Sequence, residues 1–551
     1  MWTAATSDLC KQEYTERVTI FKLACPAILF DRLLEHGLDC GYLLVENNMG
    51  AELSNATGDS PMSWWQQLFW RQKPPGGAYS KDHPPVPRVL GGWALTAMGI
   101  GATIGAGIFV TAGQVARTDA GPAVILSFVV AGIGCAFAGL CYAEFAALAP
   151  SGGSAYSYAN ATMGELLAWI IGWDLVLEYA FAGSVVAVEW SASLTALLAA
   201  VGIPVPQFGV AVQWPGQEWK MVPIDYLAVF IILALTVILI RGVEESAQMN
   251  AIMVGVKVGV VLLVIFAGIW FINPFNWTEV KPPDNPNGSG FMPFGWGGVM
   301  TGAAVVFFSY IGFDAVSTHA EETKNPGRNL PIGILGSLVI CTILYMGVAI
   351  VITGMVPWPE MAPQAPILNA FVAKGGWFAR SAGIIIGIGA IAGMTSVLLV
   401  TFSGQARIFR SMARDGLLPR SVFAAEHPKY RTPHRSLMLT GAAASAIAVF
   451  VPGEELLKMV AIGTLLAFSL VCLAVMILRN TDPQQERPFR VRWVYVVAPL
   501  GIAANVAMMF SLKEDAWIRL GVWLVIGLVI YFSYSRKHSV VRKIHEGRIT
   551  G

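Results

Sequence analysis

Long apolar runs separated by short polar segments dominate the chain from about residue 89 onward. Each run is long enough to cross ~30 Å of hydrocarbon as an α-helix. We count twelve of them, at residues 89–116, 122–148, 165–200, 224–242, 247–272, 297–320, 331–356, 378–406, 434–451, 455–478, 493–511 and 516–534. The pattern predicts an all-α integral membrane protein with twelve transmembrane helices.

Lysine and arginine residues cluster in the connections on one side of these predicted helices. They precede the first helix, fill the loop between the eighth and the ninth, follow the tenth, and recur in the tail at 536–551. Loops rich in lysine and arginine face the cytoplasm. We therefore expect a transmembrane domain at 87–535 in the cell membrane, with both termini cytoplasmic. We interpret the basic tail as a topology signal and expect no nucleic-acid partner.

The first 86 residues differ from the rest and are interpreted as a cytosolic N-terminal segment. Residues 1–61 contain no apolar run of ~18 residues and no signal-peptide pattern. Met62 opens "MSWWQQLFWRQKP", a natural cytosolic start. We expect 1–61 to be a poorly ordered extension, and the alternative is a small regulatory cap.

Composition supports a membrane class and excludes several others. The chain is 55% hydrophobic and 13% charged, with a net charge of +1, whereas soluble domains carry roughly 25% charged residues. None of the seven cysteines forms a CxxC pair, and the histidines are scattered. The sequence therefore predicts no disulfide framework, no metal site and no cofactor.

Glycines interrupt two of the apolar runs. The first run contains "GATIGAGIFV" at 101–110, and the sixth contains "FFSYIGFDAV" at 307–316, with Gly312 and Asp314 inside it. Interrupted helices at corresponding positions of two halves point to inverted repeats with a binding site near mid-membrane. At ~1.5 Å per residue, Gly105 lies ~24 Å along the first helix and Ser309 ~18 Å from the inner surface. The alternative is that the glycines only permit close helix packing.

Unwound turns inside a membrane would present free backbone groups to a ligand. Amides at the positive end of a half-helix suit a carboxylate. Carbonyl oxygens of the other turn suit an ammonium group. The pair of interruptions therefore predicts a site for the backbone of an α-amino acid.

Two charged residues lie deep inside predicted helices. Lys257 is ~18 Å from the cytosolic end of the fifth helix, and Glu178 is at a similar depth in the third, with Asp174 one turn closer to the cytoplasm. A charge at mid-bilayer indicates function by default. Since burial favours the neutral amine, we expect Lys257, with Glu178, to couple transport to protons. The alternative is a static Lys257–Glu178 ion pair that holds two helices together.

Several stretches resemble the cationic amino acid transporter family of the amino acid–polyamine–organocation superfamily. They are "GIGATIGAGIFV" at 99–110, "YAEFAALAPSGGSAYSY" at 142–158, "GWDLVLEYAF" at 172–181, "FFSYIGFDAVSTHAEETKNPGRNLPIGI" at 307–334 and "GQARIFRSMARDGLLP" at 404–419. The resemblance runs from about Pro87 to Ser535 and does not cover 1–61. It implies a five-plus-five inverted repeat with broken first and sixth helices, followed by two extra C-terminal helices.

The resemblance also implies roles for matching positions. The turn that receives the substrate carboxylate would be Ile104, Gly105, Ala106 and Gly107. The carbonyls that receive the ammonium would be those of Phe308, Ser309 and Ile311, with the Phe308 ring as a gate. Lys257 matches the family's fifth-helix lysine, which stands where sodium-coupled relatives bind a cation. Ala106 replaces a hydroxyl residue, which leaves the backbone amides as the carboxylate donors.

These observations favour a secondary active amino acid transporter, a proton-coupled symporter, over other classes. We expect neutral L-amino acids as substrates, because the eighth helix offers no acid and Met394 would fill the space that a guanidinium group needs. The alternatives are a cationic amino acid transporter or exchanger and, from another class, a channel or a non-transporting amino acid sensor. A membrane enzyme is disfavoured, because the sequence has no recognisable catalytic constellation.

Overall fold

The described part of this computed structural model consists of helices, with one short hairpin. It covers residues 88–545 apart from 149–153, 207, 213–219, 243–246, 282–289 and 452. The predicted segment 1–86 and the end of the tail lie outside these ranges. The α-helices, numbered in chain order, are α1 Gly92–Thr103, α2 Ala112–Val115, α3 Val124–Leu148, α4 Ser154–Thr162, α5 Glu165–Ala200, α6 Tyr226–Ile240, α7 Ala247–Gly268, α8 Phe275–Thr278, α9 Gly295–Val306, α10 Pro326–Met355, α11 Pro366–Ala373, α12 Gly376–Arg414, α13 Arg420–Phe423, α14 His434–Phe450, α15 Gly453–Thr481, α16 Val494–Ser511, α17 Glu514–Ile530, α18 Arg536–His538 and α19 Val540–His545.

Shorter elements connect these helices. Strands β1 Gly209–Val212 and β2 Lys220–Pro223 pair antiparallel between α5 and α6. The π-helical turns are Gly107–Thr111, Ala116–Ala120 and Tyr531–Ser535. The 3-10 turns are Gly121–Ala123, Ile269–Phe271, Phe307–Tyr310, Asp314–Glu322 and Trp358–Glu360.

Within the described ranges, nine helices are long and apolar enough to cross a membrane. This number is smaller than the twelve predicted spans, and the differences have structural reasons. The first run is divided at Gly105, so that α1 has only 12 residues. The fourth and ninth runs form α6 and α14, which have 15 and 17 residues and so fall short of a full span of about 20.

The third apolar run forms the centre of the bundle. Helix α5 packs along α12 on one side and α15 on the other. In its most apolar stretch 89% of residues are buried, compared with 33% in α16 and 22% in α17. A helix that is apolar all round and buried belongs to a core, so the last two helices lie at the edge of the bundle.

Exposed tryptophans mark both ends of the helices. If successive spans alternate in direction, then Trp270, Trp296 and Trp377 lie on one side of the membrane and Trp93 and Trp493 on the other. All five are at least 65% exposed. Tryptophan is enriched at both membrane–water interfaces, so this distribution is typical of a membrane-spanning bundle.

A buried ion cluster ties three segments together at the end of α3. Arg479 of α15 donates two hydrogen bonds of 2.8 Å to the Glu144 carboxylate, and the amide of Val491 donates another of 2.7 Å. Arg487 Nε lies 3.4 Å from the same carboxylate. Glu144 is therefore an ion-pairing residue near the end of α3. Three hydrogen bonds and a second arginine offset much of the cost of burying this carboxylate.

The C-terminal segment and the loop that follows α12 both pack against the same end of the bundle. The Tyr531 hydroxyl donates to Glu165 at the start of α5, and Ser539 donates to the other oxygen of that carboxylate. Asp415, which follows α12, accepts hydrogen bonds from Tyr156 and Asn160 of α4. Burial raises the pKa of Asp415 to about 6. The loop and the tail are thus held by buried carboxyl groups.

We predict that Glu144→Ala destabilises the protein strongly, because it leaves two arginines facing a buried site without their partner. Removing one partner of a buried ion pair costs ~3–5 kcal/mol. The matched control is Glu455→Ala, because Glu455 pairs with Arg519 where both side chains are about a third exposed, and such pairs contribute ~0–1 kcal/mol. Melting in detergent checks the difference, and equal losses of Tm for the two variants would contradict it.

Candidate functional site

The first apolar run is unwound at Ile104 and Gly105. Helix α1 ends at Thr103, Ile104 has extended backbone angles (φ −74°, ψ 102°), and helical structure resumes at Gly107. A helix that restarts inside the bundle leaves its first amides without acceptors in the helix. The positive end of this half-helix therefore points into the protein at residues 105–107.

The sixth run is unwound at the corresponding place. After α9, a 3-10 turn ends at Tyr310, Ile311 is extended (ψ 133°), and Gly312 has a φ of +121°. A side chain on Gly312 would be strained, and its Cβ would lie 2.7 Å from the carbonyl of Ala102 in α1. Glycine is required here because the two unwound segments approach at the backbone.

The two interruptions meet face to face. A Cβ on Gly107 would lie only 2.4 Å from the Cα of Ser309. The hydroxyl of Tyr345, from α10, lies 3.0 Å from the Thr103 carbonyl and 2.8 Å from the Ser309 carbonyl. The glycines therefore permit close contact between the two turns as well as unwinding.

A cavity lies at this junction and contains most of the predicted site residues. Its lining includes Gly105, Ala106, Gly107, Phe308, Ile311 and Glu178. Tyr179 and the alkyl side chains of Ala182 and Val186 continue the wall along α5, and Ala102, Thr103 and Ala315 extend it toward the inner halves of the broken runs. The cavity thus combines a half-helix start, an unwound turn and a carboxyl group with a largely apolar wall.

Four of the predicted residues lie outside this lining: Ile104, Ser309, Met394 and Lys257. Ile104 and Ser309 are buried beside it, and the Ser309 carbonyl is within reach of Tyr345. Met394 is fully buried, and α12 instead presents Val397, Val400 and Thr401 to the cavity. The reason is depth, because Met394 lies one turn farther out along α12 than Val397. The steric argument from Met394 therefore does not apply to this cavity.

Lys257 contacts the first broken run. Its ammonium group is fully buried and donates a 2.5 Å hydrogen bond to the carbonyl of Gly101. In an unbroken helix that carbonyl would accept from the amide of Gly105, four residues on. Lys257 thus supplies the donor that unwinding removes.

Glu178 lies apart from this contact. Both of its carboxyl oxygens are buried and lack a hydrogen-bond partner among the residues that the structure describes. The structure therefore differs from the alternative of a static Lys257–Glu178 ion pair. The two residues belong to separate environments, one at the Gly101 carbonyl and one at the cavity.

Acidic groups surround Glu178. Its charged neighbours are Asp314, in the second unwound segment, and Asp174, one turn away on α5. Asp314 accepts hydrogen bonds from the Tyr179 hydroxyl (3.0 Å) and the Gly312 amide (3.1 Å). Like charges repel, and each buried charge carries a desolvation cost, so ionising all three carboxyl groups together is unfavourable.

Gln114 links the second half of the first run to neighbouring segments. The amide of Gln114, in α2, donates to Glu189 Oε1 of α5 (2.9 Å) and to the Pro363 carbonyl (3.0 Å). Gly113 allows Pro366 of α11 to pack directly on the same half-helix, because a Cβ there would lie 2.5 Å from that ring. The second half of the first run is therefore joined to α5 and to the segment before α11.

Sequence reasoning missed Tyr345 and Gln114. Tyr345 is an ordinary aromatic residue in an apolar run, and Gln114 is a lone polar residue near a helix end. No local pattern marks either residue, because their partners are 36 and 242 residues away for Tyr345 and 75 and 249 residues away for Gln114. Asp314 was visible as a charge in an apolar run, but its contact with Tyr179 was not.

The chain is similar to known membrane transporters over most of its length. A family model described as amino acid permease matches residues 90–530. A methylthioribose transporter of Bacillus subtilis (strain 168) is 44% identical over 456 residues, 83% of this chain and 95% of that protein. A branched-chain amino acid permease of the same organism is 45% identical over 457 residues, 82% and 94% of the two chains. A vacuolar cationic amino acid transporter of Arabidopsis thaliana is 40% identical over 389 residues, 71% and 63% of the two chains.

We predict that Gly105→Val weakens amino acid binding at least tenfold, which corresponds to about 1.4 kcal/mol. A Cβ at this position would lie 2.8 Å from Val397 Cγ2, and a β-branched residue disfavours the open turn. The matched control is Gly259→Val in α7, where no atom lies within 4 Å of the added Cβ. Binding of labelled alanine to the purified variants is the measurement. Near-normal affinity in Gly105→Val would mean that this glycine serves packing alone.

Proposed function

Because the chain belongs to the amino acid permease family, we propose that it is a proton-coupled symporter of small or medium neutral L-amino acids. We place it in the cell membrane with both termini in the cytoplasm. The observation that carries the proposal is the cavity between the two unwound turns, which has Glu178 in its wall. An α-amino acid has a carboxylate, an ammonium group and a side chain, and the cavity offers a complement to each.

The two charged ends of the substrate would bind the two unwound turns. The amides at residues 105–107 begin a half-helix and favour a carboxylate. Phe308 and Ile311 line the same cavity, and their carbonyls would accept the ammonium group, that of Phe308 beside its contact of 3.2 Å from the Ile311 amide. The Ser309 carbonyl would share this role with its contact from Tyr345. Recognition of the amino acid backbone would rest on main-chain groups, so it would be the same for every side chain.

The architecture we propose is a five-plus-five inverted repeat of transmembrane helices with two further helices at the C-terminus. In this arrangement α1 and its continuation correspond to α9 and its continuation, and both are interrupted beside the cavity. The low burial of α16 and α17 supports their position outside the repeat. Twelve spans result when the shorter helices α6 and α14 also cross the bilayer.

Apolar side chains in the cavity wall support neutral substrates. Val186, Val397 and Val400 face the cavity, together with Ala106 and Ala182. A guanidinium or ammonium side chain beside these groups would lose hydration without gaining a partner. A branched-chain amino acid permease among the relatives is in keeping with this substrate class.

One observation favours a second candidate, a cationic amino acid transporter. Glu178 is a cavity carboxyl group whose oxygens have no hydrogen-bond partner in the described ranges. It would pair with a cationic substrate side chain, and relatives from Arabidopsis thaliana carry the name of cationic amino acid transporters. We prefer a proton as its charge-neutralising partner, because Asp314 and Asp174 add to the cost of ionising it.

Proton coupling would use Lys257 and Glu178 in different ways. Lys257 would change protonation while bound to the Gly101 carbonyl, beside the turn that receives the substrate carboxylate. Glu178 would take up a proton at the cavity itself.

Uptake of labelled alanine into proteoliposomes, with and without an inward proton gradient, tests both parts of the proposal. Uptake unaffected by the gradient would overturn coupling, and the absence of any amino acid uptake would overturn the symporter.

We predict that Lys257→Ala abolishes proton-driven accumulation of alanine and retains exchange of internal for external substrate. The reason is that the variant keeps the cavity but loses the titratable group beside it. Lys458→Ala is the matched control, since Lys458 is a partly exposed lysine beside Glu455. Uphill uptake by Lys257→Ala at the wild-type level would remove this lysine from the coupling mechanism.

We predict that arginine competes poorly with alanine uptake in the wild type, at least tenfold less well than leucine. The apolar wall at Val397 and Val400 accommodates an alkyl side chain and offers no partner to a guanidinium group. Competition curves with arginine and leucine provide the measurement, repeated in Glu178→Gln. Strong arginine competition in the wild type that disappears in Glu178→Gln would instead establish the cationic transporter.

A further inference from the structure

A tyrosine from outside the two broken runs joins them. Tyr345 lies on α10 and is fully buried. Its hydroxyl is 3.0 Å from the Thr103 carbonyl, at the end of the first half-helix, and 2.8 Å from the Ser309 carbonyl, in the second unwound segment. One side chain therefore contacts both of the turns that enclose the substrate cavity.

Both carbonyls lose their helical hydrogen-bond donor where the runs unwind. In continuous helices they would accept from the amides four residues on, Gly107 and Phe313. Unwinding removes those donors, and water-free hydrocarbon offers no replacement. A tyrosine hydroxyl has one proton to donate, so it serves two acceptors only when both are held close together.

The position of the hydroxyl is fixed by the packing of its ring. The Tyr345 ring contacts Phe128 (centroids 5.6 Å apart) and Tyr310 (5.4 Å). Because these rings are buried and interlocked, a shift of either turn relative to the other would break a Tyr345 contact.

We propose that Tyr345 is a positioning residue that sets the separation between the turn for the substrate carboxylate and the turn for its ammonium group. The proposal rests on the proposed function, since those two roles come from it. In the proposal this separation is the one that an α-amino acid requires, because one carbon lies between its two charged groups. Tyr345 thereby determines the rejection of β-amino acids, whose charged groups are one methylene farther apart.

The test compares L-alanine with 3-aminobutanoate, which has the same methyl side chain and one additional methylene between its charged groups. Inhibition constants for both compounds are measured against labelled alanine uptake in proteoliposomes. In Tyr345→Phe we expect KM for alanine to rise about tenfold. We also expect the inhibition constant of 3-aminobutanoate divided by that of alanine to fall at least fivefold. The ratio is independent of the amount of active protein, so a loss of folded protein does not mimic the effect.

Tyr310→Phe is the matched control. It removes the same hydroxyl from the neighbouring ring, and its hydrogen bond goes to the Phe128 carbonyl in unbroken helix α3. We expect the wild-type ratio in this variant. If Tyr345→Phe does not fold, Tyr345→Met replaces it, because methionine fills the space without a hydroxyl.

The outcomes separate this proposal from the function on which it rests. A wild-type protein that takes up no amino acid overturns the symporter. A wild type that takes up alanine but does not discriminate against 3-aminobutanoate overturns the positioning role. The same conclusion follows if Tyr345→Phe or Tyr345→Met keeps the wild-type ratio, or if Tyr310→Phe lowers it equally.

Discussion

Backbone groups that lose their helical partners inside a membrane must find new ones, and this constraint organises the centre of the protein. Unwinding at Ile104 and Ile311 frees carbonyls and amides where hydrocarbon offers none. Lys257 and Tyr345 satisfy the carbonyls, from two different helices. The unwound state of both runs therefore depends on α7 and α10, which explains why these helices are part of the site without lining much of the cavity.

The carboxyl groups beside the cavity follow from a second constraint. Glu178, Asp174 and Asp314 are all fully buried, and Asp314 alone has well-defined hydrogen-bond donors, Tyr179 and Gly312. A buried cluster of three carboxyl groups destabilises the fold when its members are ionised, because each charge is desolvated. Protonation reduces that cost, and it also removes the charge that would repel a substrate carboxylate. In our proposal, proton uptake and amino acid binding would therefore favour each other at the same cavity.

The sequence predicted the interruptions and much of the cavity, because glycine and buried charge leave a local signal. Gly105 and Glu178 carry such a signal and line the cavity, and Phe308, which the family resemblance implied, lines it as well. Pairings between distant segments could not be derived in this way. The depth of Lys257 suggested Glu178 as its partner, yet Lys257 donates to the Gly101 carbonyl, which loses its helical donor at the interruption. Met394 was misplaced for a related reason, since helical periodicity gives the face of a residue more reliably than its height relative to a cavity.

In our proposal, the first interruption couples a proton to the substrate without direct contact between them. In a continuous helix the Gly105 amide would donate to the Gly101 carbonyl. In the structure Lys257 donates to that carbonyl, and in our proposal the substrate carboxylate accepts from the amides of the open turn. One broken hydrogen bond is thus replaced by two contacts, one with a titratable amine and one with the transported ligand.

Both replacement contacts stabilise the same unwound conformation, so each affects the free energy of the other. When two ligands stabilise the same conformation, each raises the affinity for the other, whatever the distance between their sites. Gln114 lies in the same half-helix, two turns beyond Gly107, where it donates to Glu189 and to the Pro363 carbonyl. In our proposal a change at Lys257 therefore acts on a broken run that borders the cavity and also contacts α5 and the segment before α11, and coupled transport would use this connection.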